Sequence, residues 1–242
     1  MTGPSKPPDA GRVRRELEAL ADPERAAWTA PYLGVVVGGY GEGDTLLGIT
    51  VPEQRRVARA ARDLPLPEAA ALLASPVHEH RFVAVVVLTE RHKRAGREGR
   101  RELSRFYLDH RAGVDNWDLV DASAPEMVGV DIADGEGDRA VLDQLAASQR
   151  LWDRRIAIVA THTLIRRGEL DETFALAARL MDDPHHLIHK AVGWMLREAG
   201  KGDEAAMVAF LEAHRAELPR TTLRYAIERL TPERRTALMA RP

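Results

Sequence analysis

The spacing of apolar residues constrains this chain more than any other feature of its sequence. Apolar side chains recur every three or four positions along nearly the whole length, as at Val57, Ala60, Ala61 and Leu64. This spacing places them on one side of an α-helix, where they pack against a neighbouring helix. Proline and glycine fall mostly between such segments, where they suit helix starts and breaks. The sequence therefore predicts an all-α protein.

A weak internal repeat groups the predicted helices into pairs. HRFVAVVVL begins at residue 80, RRIAIVATHTL at residue 154 and HKAVGWMLRE at residue 189, and second helices follow at 171–181 and 203–213. A period near 35–40 residues fits HEAT-like helix pairs, and the tetratricopeptide signature is not evident. Each copy opens on a basic residue: Arg81, Arg155 or Lys190. We therefore expect an α-solenoid of HEAT-like pairs, curved, with a positively charged concave face.

Residues 34–49, GVVVGGYGEGDTLLGI, interrupt the helical pattern. A β-strand is one reading of this segment, but its glycines favour a loop between helices. The segment lacks the lysine and hydroxyl of a phosphate-binding loop, so it predicts no nucleotide site.

Composition sets the domain organisation and the compartment that we expect. Residues 1–11 are rich in proline, glycine and polar residues and predict a disordered tail, which leaves residues 12–242 as a single domain. Because there is no cysteine, disulfides, thiolate nucleophiles and cysteine-bound metals are excluded. The amino end has no hydrophobic signal core, and no apolar run approaches the about 20 residues that span a bilayer. We expect a cytoplasmic protein.

Charge is distributed unevenly along the chain, although its net value is only −2. Residues 81–111 contain nine arginines and lysines against four acids, whereas 115–143 contain nine acids against one arginine. The basic segment is able to meet phosphates. Only four of the 35 basic residues are lysines, and such a bias is also typical of a GC-rich genome. Charge alone therefore leaves the partner open.

The segment NWDLVDAS, residues 116–123, is the most informative for chemistry. On a helix, Trp117 and Asp121 share a face one turn apart, and an indole beside a carboxylate suits a cationic ligand. The alternative is that Trp117 belongs to the core and that Asp121 is solvated or caps a helix near Pro125. Two further tryptophans, Trp152 and Trp194, also stand beside clustered charges.

Three histidines, His185, His186 and His189, raise the question of a metal site. His185 and His189 have the spacing of helical zinc ligands. No glutamate stands between them, and no third ligand has a recognisable spacing. Histidines on the surface at a helix start are the better interpretation, so we expect neither a metal nor another cofactor.

Five strings together resemble the AlkD-like DNA alkylation repair proteins, over roughly residues 12–230. In order they are DPERAAWTAPYL (22–33), GITVPEQRR (48–56), NWDLVD (116–121), LWDRRIAIV (151–159) and KAVGWMLRE (190–198). The resemblance implies a curved stack of HEAT-like helix pairs, in agreement with the repeat. The glycine-rich stretch 34–47 looks longer than the usual connection in this family.

The resemblance also implies a role for each matching residue. Trp117 and Trp194 look like the two indoles that flank the deoxyribose of the lesion, and Asp121 looks like the catalytic carboxylate. Arg155 looks like the arginine that supports the distorted backbone. Further DNA contacts are expected from the aromatic and basic positions Tyr32, Arg55, Arg197 and Lys190.

The implied activity is that of a DNA glycosylase, which excises purines alkylated at N3 or N7 from duplex DNA. We expect it to be a monomer and to associate with the nucleoid when it is bound to DNA. The family is similar to backbone readers that do not flip the base, and the sequence shows no base-sized pocket. Simple methylpurines and the bulky adducts of a DNA-alkylating natural product both remain open as substrates. The alternatives are a non-catalytic HEAT-repeat DNA-binding protein, a protein-binding scaffold and a His-ligated metalloenzyme.

Overall fold

The computed structural model describes residues 7–240, and the regular elements in that range are helical apart from one β-bridge between Thr45 and Val77. The prediction of an all-α protein is confirmed. The described residues form two compact units that divide between Ser123 and Ala124. None of the helices between residues 7 and 240 is long and apolar enough to cross a lipid bilayer.

The first unit contains α1 (Ala10–Glu18), α2 (Pro23–Thr29), α3 (Val51–Ala60), α4 (Leu66–Leu73), α5 (His78–Arg94), α6 (Arg97–Asp109) and α7 (Trp117–Ala124). Helix α5 is its centre, because it packs against α1, α3, α4 and α6. The run Phe82–Leu88 on α5 is buried on every side. A helix that is apolar all round belongs in a core, where each large side chain contributes about 1.5–3 kcal/mol.

The second unit begins with a π-helical turn, Pro125–Gly129, directly after α7. Its helices are α8 (Val130–Ala133), α9 (Ala140–Ala146), α10 (Leu151–Arg166), α11 (Asp171–Leu180), α12 (His186–Gly202), α13 (Glu204–Ala213), α14 (Arg220–Ala226) and α15 (Pro232–Met239). Helix α10 takes the central place that α5 has in the first unit, and it packs against α9, α11 and α12.

The internal repeat corresponds to real helices. Its three copies are the long helices α5, α10 and α12, and the predicted second helices are α11 and α13. The succession of paired helices α10–α11 and α12–α13 is consistent with an α-solenoid. The single domain over residues 12–242 stays a prediction.

Helix starts follow local capping chemistry. Asp22 accepts a hydrogen bond from the amide of Arg25, with Pro23 in the first turn of α2. Thr50 and Glu53 form a reciprocal capping box at the start of α3. Each such cap contributes about 1 kcal/mol, which is why proline and these polar residues marked the boundaries in the sequence.

Two expectations about irregular segments have different outcomes. Residues 1–6 of the tail predicted over residues 1–11 lie outside the described residues. Within the rest of that stretch, Asp9 caps helix α1, and Ala10, the first residue of the helix, is buried. The helix therefore begins two residues earlier than predicted. Residues 34–47 form a looped connection, as their glycines indicated, with only Thr45 in the β-bridge.

Candidate functional site

Four of the predicted site residues line one cavity of about 360 Å³ within the first unit: Tyr32, Arg55, Trp117 and Asp121. The cavity lies among α3, α5, α7 and the segments that flank the glycine-rich loop. Ligand pockets in proteins typically have volumes of about 300–1,000 Å³. The expectation that this chain has no base-sized pocket is therefore wrong.

Helix α7 presents two different faces. Leu119 and Val120 are fully buried in the core, whereas Trp117 and Asp121 are half-buried and line the cavity. The start of the helix is fixed by Asn116, whose Nδ2 donates to the carbonyl oxygen of Leu33 at 2.9 Å. Because i and i+4 residues share a helix face, the indole and the carboxylate reach the same space.

The cavity combines aromatic walls with charge. The rings of Tyr32 and Trp117 meet edge to face, with centroids 5.2 Å apart. The guanidinium carbon of Arg55 lies 5.9 Å from the centroid of the Phe82 ring. Trp117 is thus a wall of the cavity and not a fully buried core residue. Asp121 has no following helix start to cap, because the chain continues directly into the π-helical turn. This arrangement can receive a ligand that is cationic and partly apolar.

His78 lies at the same cavity and was missed by the sequence analysis. Its Nε2 is 2.8 Å from Asp118 Oδ2, and its Nδ1 is 3.4 Å from Asp44 Oδ2. An ionised carboxylate only accepts hydrogen bonds, so both ring nitrogens must donate and the imidazole is charged. Burial lowers the pKa of His78, but the hydrogen bonds to Asp118 and Asp44 outweigh it and raise the pKa to about 9. His78 thereby joins the glycine-rich loop to α7.

Arg81 completes this buried network instead of presenting charge at the surface. Its guanidinium donates to the carbonyl oxygen of Ser75 at 2.8 Å and to Asp44 at 2.5 Å. It also pairs with Asp115 at 3.1 Å. The arginine is buried, so it cannot contribute to a positive face as the repeat had suggested.

Glu79 holds the carboxyl-terminal end of the glycine-rich loop. Its buried carboxylate accepts hydrogen bonds from the amides of Leu47, Gly48 and Ile49, the shortest of them 2.7 Å from Gly48. Gly48 has φ +76°, and a Cβ there would lie 2.2 Å from the carbonyl oxygen of Asp22. Only glycine fits this position, so Glu79 and Gly48 together fix the wall of the cavity.

A sequence signal for this network did exist. HEHR, residues 78–81, places four titratable side chains at the start of a helix that is otherwise apolar for two turns. Such residues at a core helix require buried partners, because unpaired charge is expensive to bury. The partners Asp44 and Asp118 are too distant in sequence for the pattern to identify them.

The second unit contains the remaining predicted residues. Trp194 on α12 is half-buried and lies beside His162, with ring centroids 5.9 Å apart. Glu198 lies 3.9 Å from Nε2 of His162. Arg197 pairs with Glu228. Trp194 thus lies beside a histidine that is itself close to a carboxylate.

Arg155 is placed differently from a phosphate-binding arginine on a surface. It is buried, and its guanidinium donates to the carbonyl oxygen of Leu187 at 2.8 Å, which links α10 to the first turn of α12. Lys190 is half-buried on α12. Two of the three basic residues that suggested a positive face, Arg81 and Arg155, are therefore internal.

The three neighbouring histidines support the start of α12. His185 Nδ1 accepts from the amide of Leu187, and His189 Nε2 donates to the carbonyl oxygen of Asp183 at 2.6 Å. The rings of His185 and His186 stack, with centroids 4.8 Å apart. Within residues 7–240, no group of three or more histidine or carboxylate side chains is arranged to hold a metal ion.

Comparisons with known proteins match the chain to a family and to a fold. The model of a family described as DNA alkylation repair enzyme matches residues 13–230. The fold is similar to that of a predicted DNA alkylation repair enzyme from Enterococcus faecalis, with a TM-score of 0.69 and 19% sequence identity. That alignment covers 88% of this chain and 97% of the other. No curated relative matches the sequence.

Proposed function

This chain belongs to the DNA alkylation repair enzyme family, and we propose that it is a DNA glycosylase. Its substrates would be cationic purines alkylated at N3 or N7 in duplex DNA, and its reaction the hydrolysis of their N-glycosidic bond. The observation that carries the proposal is the placement of Asp121 and Trp117 on adjacent turns at one aromatic-walled cavity.

The chemistry needs little more than a well-placed carboxylate. An alkylated purine already carries a positive charge, so the electron pair of the C1′–N bond moves onto the base, which leaves neutral. Positive charge then develops on the deoxyribose. Asp121 stabilises this oxocarbenium-like sugar and orients a water molecule, whose oxygen bonds to C1′ as one of its protons passes to solvent.

The aromatic side chains are suited to hold the sugar. An indole face attracts positive charge, and the edge-to-face contact with Tyr32 fixes the orientation of Trp117. We propose that the enzyme reads the backbone and leaves the base in or near the duplex. Support for this mode comes from the resemblance alone, since the cavity is large enough to admit other modes. Trp194 is proposed to assist excision, and its substitution by alanine tests that role separately.

Base release decides between this proposal and its alternatives. Duplex DNA that contains 7-methylguanine or 3-methyladenine is incubated with excess protein, and the liberated base is identified chromatographically. A glycosylase releases the intact alkylated base and leaves an abasic site. Binding without release would favour the non-catalytic DNA-binding alternative. A parallel duplex with a bulky N7 adduct tests whether the open cavity extends the substrate range.

DNA binding is expected to weaken steeply as salt concentration rises. The proposed contacts are to phosphates, and each phosphate contact contributes about one counterion to the salt dependence. Arg55 is exposed at the cavity, so Arg55→Ala should weaken binding to all sequences alike and reduce the salt slope by about one. The measurement is a titration of undamaged duplex by fluorescence anisotropy at several salt concentrations.

Arg12→Ala is the matched control for that titration, since Arg12 is exposed on α1, pairs with Glu16 and does not line the cavity. The Arg12→Ala variant should show the same dependence of DNA affinity on salt concentration as the wild type. Charge reversal at Arg155 is unsuitable because that arginine is buried. Binding that does not respond to salt would contradict the proposed phosphate contacts.

Excision is expected to need no metal ion. The triple variant His185→Ala, His186→Ala, His189→Ala loses the hydrogen bonds at the start of α12, so its melting temperature should fall while most of the excision rate remains. Exhaustive chelation should not change the wild-type rate, because a cationic base is already an activated leaving group. A loss of activity that zinc restores would instead support the metalloenzyme alternative.

A further inference from the structure

The exposed large apolar side chains of the described residues are concentrated in one part of the chain. They are Trp28, Tyr32, Val36, Val37 and Val51, and we call them the apolar rim. Trp28 is 80% exposed and Val37 is 95% exposed. Single apolar residues scattered over a surface are normal, but five of them within residues 28–51 favour an interaction site in this part of the chain.

An ordered loop holds the most exposed member of the rim away from the core. The amide of Gly39 donates to the carbonyl oxygen of Val36 at 2.9 Å, which closes a tight turn with Val37 and Gly38 at its tip. Gly38 has φ +72°, as the third position of such a turn requires. Val37 therefore projects from a defined turn.

The base of the same loop is closed by further hydrogen bonds. The amide of Gly41 donates to the carbonyl oxygen of Gly34 at 3.0 Å. The hydroxyl of Tyr40 donates to the carbonyl oxygen of Tyr32, also at 3.0 Å. A Cβ at Gly39 would lie 2.2 Å from the Gly34 carbonyl oxygen. These close backbone contacts keep the shape of the loop, so the exposure of Val37 is built into the fold.

Two members of the rim belong to the cavity of the proposed active site. Tyr32 and Val51 line that cavity together with Asp121, and Tyr32 contacts Trp117. Trp28 lies on α2, a helix that buries none of its own residues, and Tyr32 follows three residues after the last residue of that helix. A ligand that occupies the cavity and extends beyond it therefore meets the rim.

Charge beside the rim identifies the class of partner. Helix α3 begins at Val51 and then presents three exposed arginines, Arg55, Arg56 and Arg59. Apolar side chains flanked by arginines match a nucleic acid, whose base faces are apolar and whose backbone is negative. Proteins that distort DNA insert such side chains between base steps.

We propose that Trp28, Val36 and Val37 form a wedge that packs against unstacked bases of the duplex beside the lesion. This inference rests on the proposed function and adds an element to it. The wedge stabilises a locally opened duplex and so lets Trp117 and Asp121 approach the deoxyribose. It also gives the long glycine-rich loop a role in recognising damaged DNA.

The test uses the full chain and a duplex in which 2-aminopurine stands next to a tetrahydrofuran abasic analogue. Unstacking raises 2-aminopurine fluorescence, so wild-type protein should increase it severalfold on binding. The Val36→Ser, Val37→Ser double variant should lose most of that increase and bind about tenfold more weakly, because serine removes the apolar surface that packs against the bases. Trp28→Ala should act in the same direction, whereas Val37→Leu should keep both properties.

Three outcomes separate the wedge from the glycosylase activity. If the serine variant unstacks and binds DNA as the wild type does, the wedge is wrong, although base release by the wild type would still establish the glycosylase. If unstacking depends on Val36 and Val37 but no base is released, the wedge stands and the glycosylase fails. Wild-type self-association that the serine variant abolishes, with unchanged DNA binding, would assign the rim to a second copy and overturn the proposal.

Discussion

The Asp121→Asn variant is expected to excise alkylated purines about 100-fold more slowly than the wild type, or slower still, with its fold and DNA affinity retained. The asparagine keeps the size of the side chain but removes the negative charge that stabilises positive charge on the sugar. Loss of one such preorganised electrostatic contact commonly costs about 2.7–4 kcal/mol in the transition state. The measurement is single-turnover excision from duplex DNA that contains 7-methylguanine, with enzyme in excess.

Two other carboxylates serve as controls for this variant. Asp63→Asn removes an exposed charge that pairs with Arg62 outside the cavity, and it should leave the rate unchanged. Asp118→Asn alters the same cavity but removes a partner of His78, so it should lower stability before it affects chemistry. Normal excision by a correctly folded, DNA-binding Asp121→Asn protein would remove Asp121 from the mechanism.

The His78→Gln variant is expected to be less stable at pH 7 by about 3 kcal/mol. The pKa of His78 rises from its ordinary value of 6.5 to about 9 in the folded protein. A pKa shift of this size corresponds to about 3 kcal/mol in the free energy of unfolding. Glutamine can still donate to Asp118 but carries no charge to balance Asp118, Asp44 and nearby Asp115. The melting temperature should fall by roughly 10 °C.

The sign of the pH dependence makes this prediction specific. A group whose pKa is raised on folding stabilises the folded state. The full stabilisation is present when the pH is below the pKa in the unfolded chain, here 6.5, and it is lost as the pH rises through the folded pKa of about 9. The difference in unfolding free energy between wild type and His78→Gln should therefore be largest below pH 6.5 and shrink toward pH 10. Urea unfolding at a series of pH values measures it.

His80 provides an internal contrast two residues away. Burial, followed by the charges of Arg14 and Arg81, lowers the pKa of His80 to about 4. A histidine of this kind opposes folding as pH falls from 6.5 toward 4, because the unfolded chain binds the proton more tightly. His80→Gln should therefore reduce acid sensitivity. If both variants changed stability equally at every pH, the charged state assigned to His78 would be wrong.

The buried network connects these stability effects to the site. His78 and Glu79 stand in the first turn of α5, and their side chains hold the glycine-rich loop on one side and α7 on the other. The loop supplies Val36 and Val37 of the apolar rim, and α7 supplies Trp117 and Asp121. Loss of His78 should thus loosen both parts of the proposed site together, so kcat and KM are expected to change together.

Local sequence patterns determined the helices and the pairing of two site residues. Apolar periodicity, prolines and capping residues act within a few positions of the chain, which is why they predicted the long helices α5, α10 and α12. The i, i+4 spacing of Trp117 and Asp121 is likewise a property of a single helix, so their common face followed from the sequence. These features do not depend on which distant segments come together.

Only the tertiary structure decided where the charged residues lie. The sequence presented Arg81 and Arg155 as a repeated basic position, yet both are buried and donate to carbonyl oxygens of other segments. His78 acquired its charge from Asp44 and Asp118, which are 34 and 40 positions away. Burial and pairing of charge depend on contacts between distant parts of the chain, and neither periodicity nor composition records those contacts. The cavity and the exposure of Val37 have the same origin, because each is a space or surface formed by several segments at once.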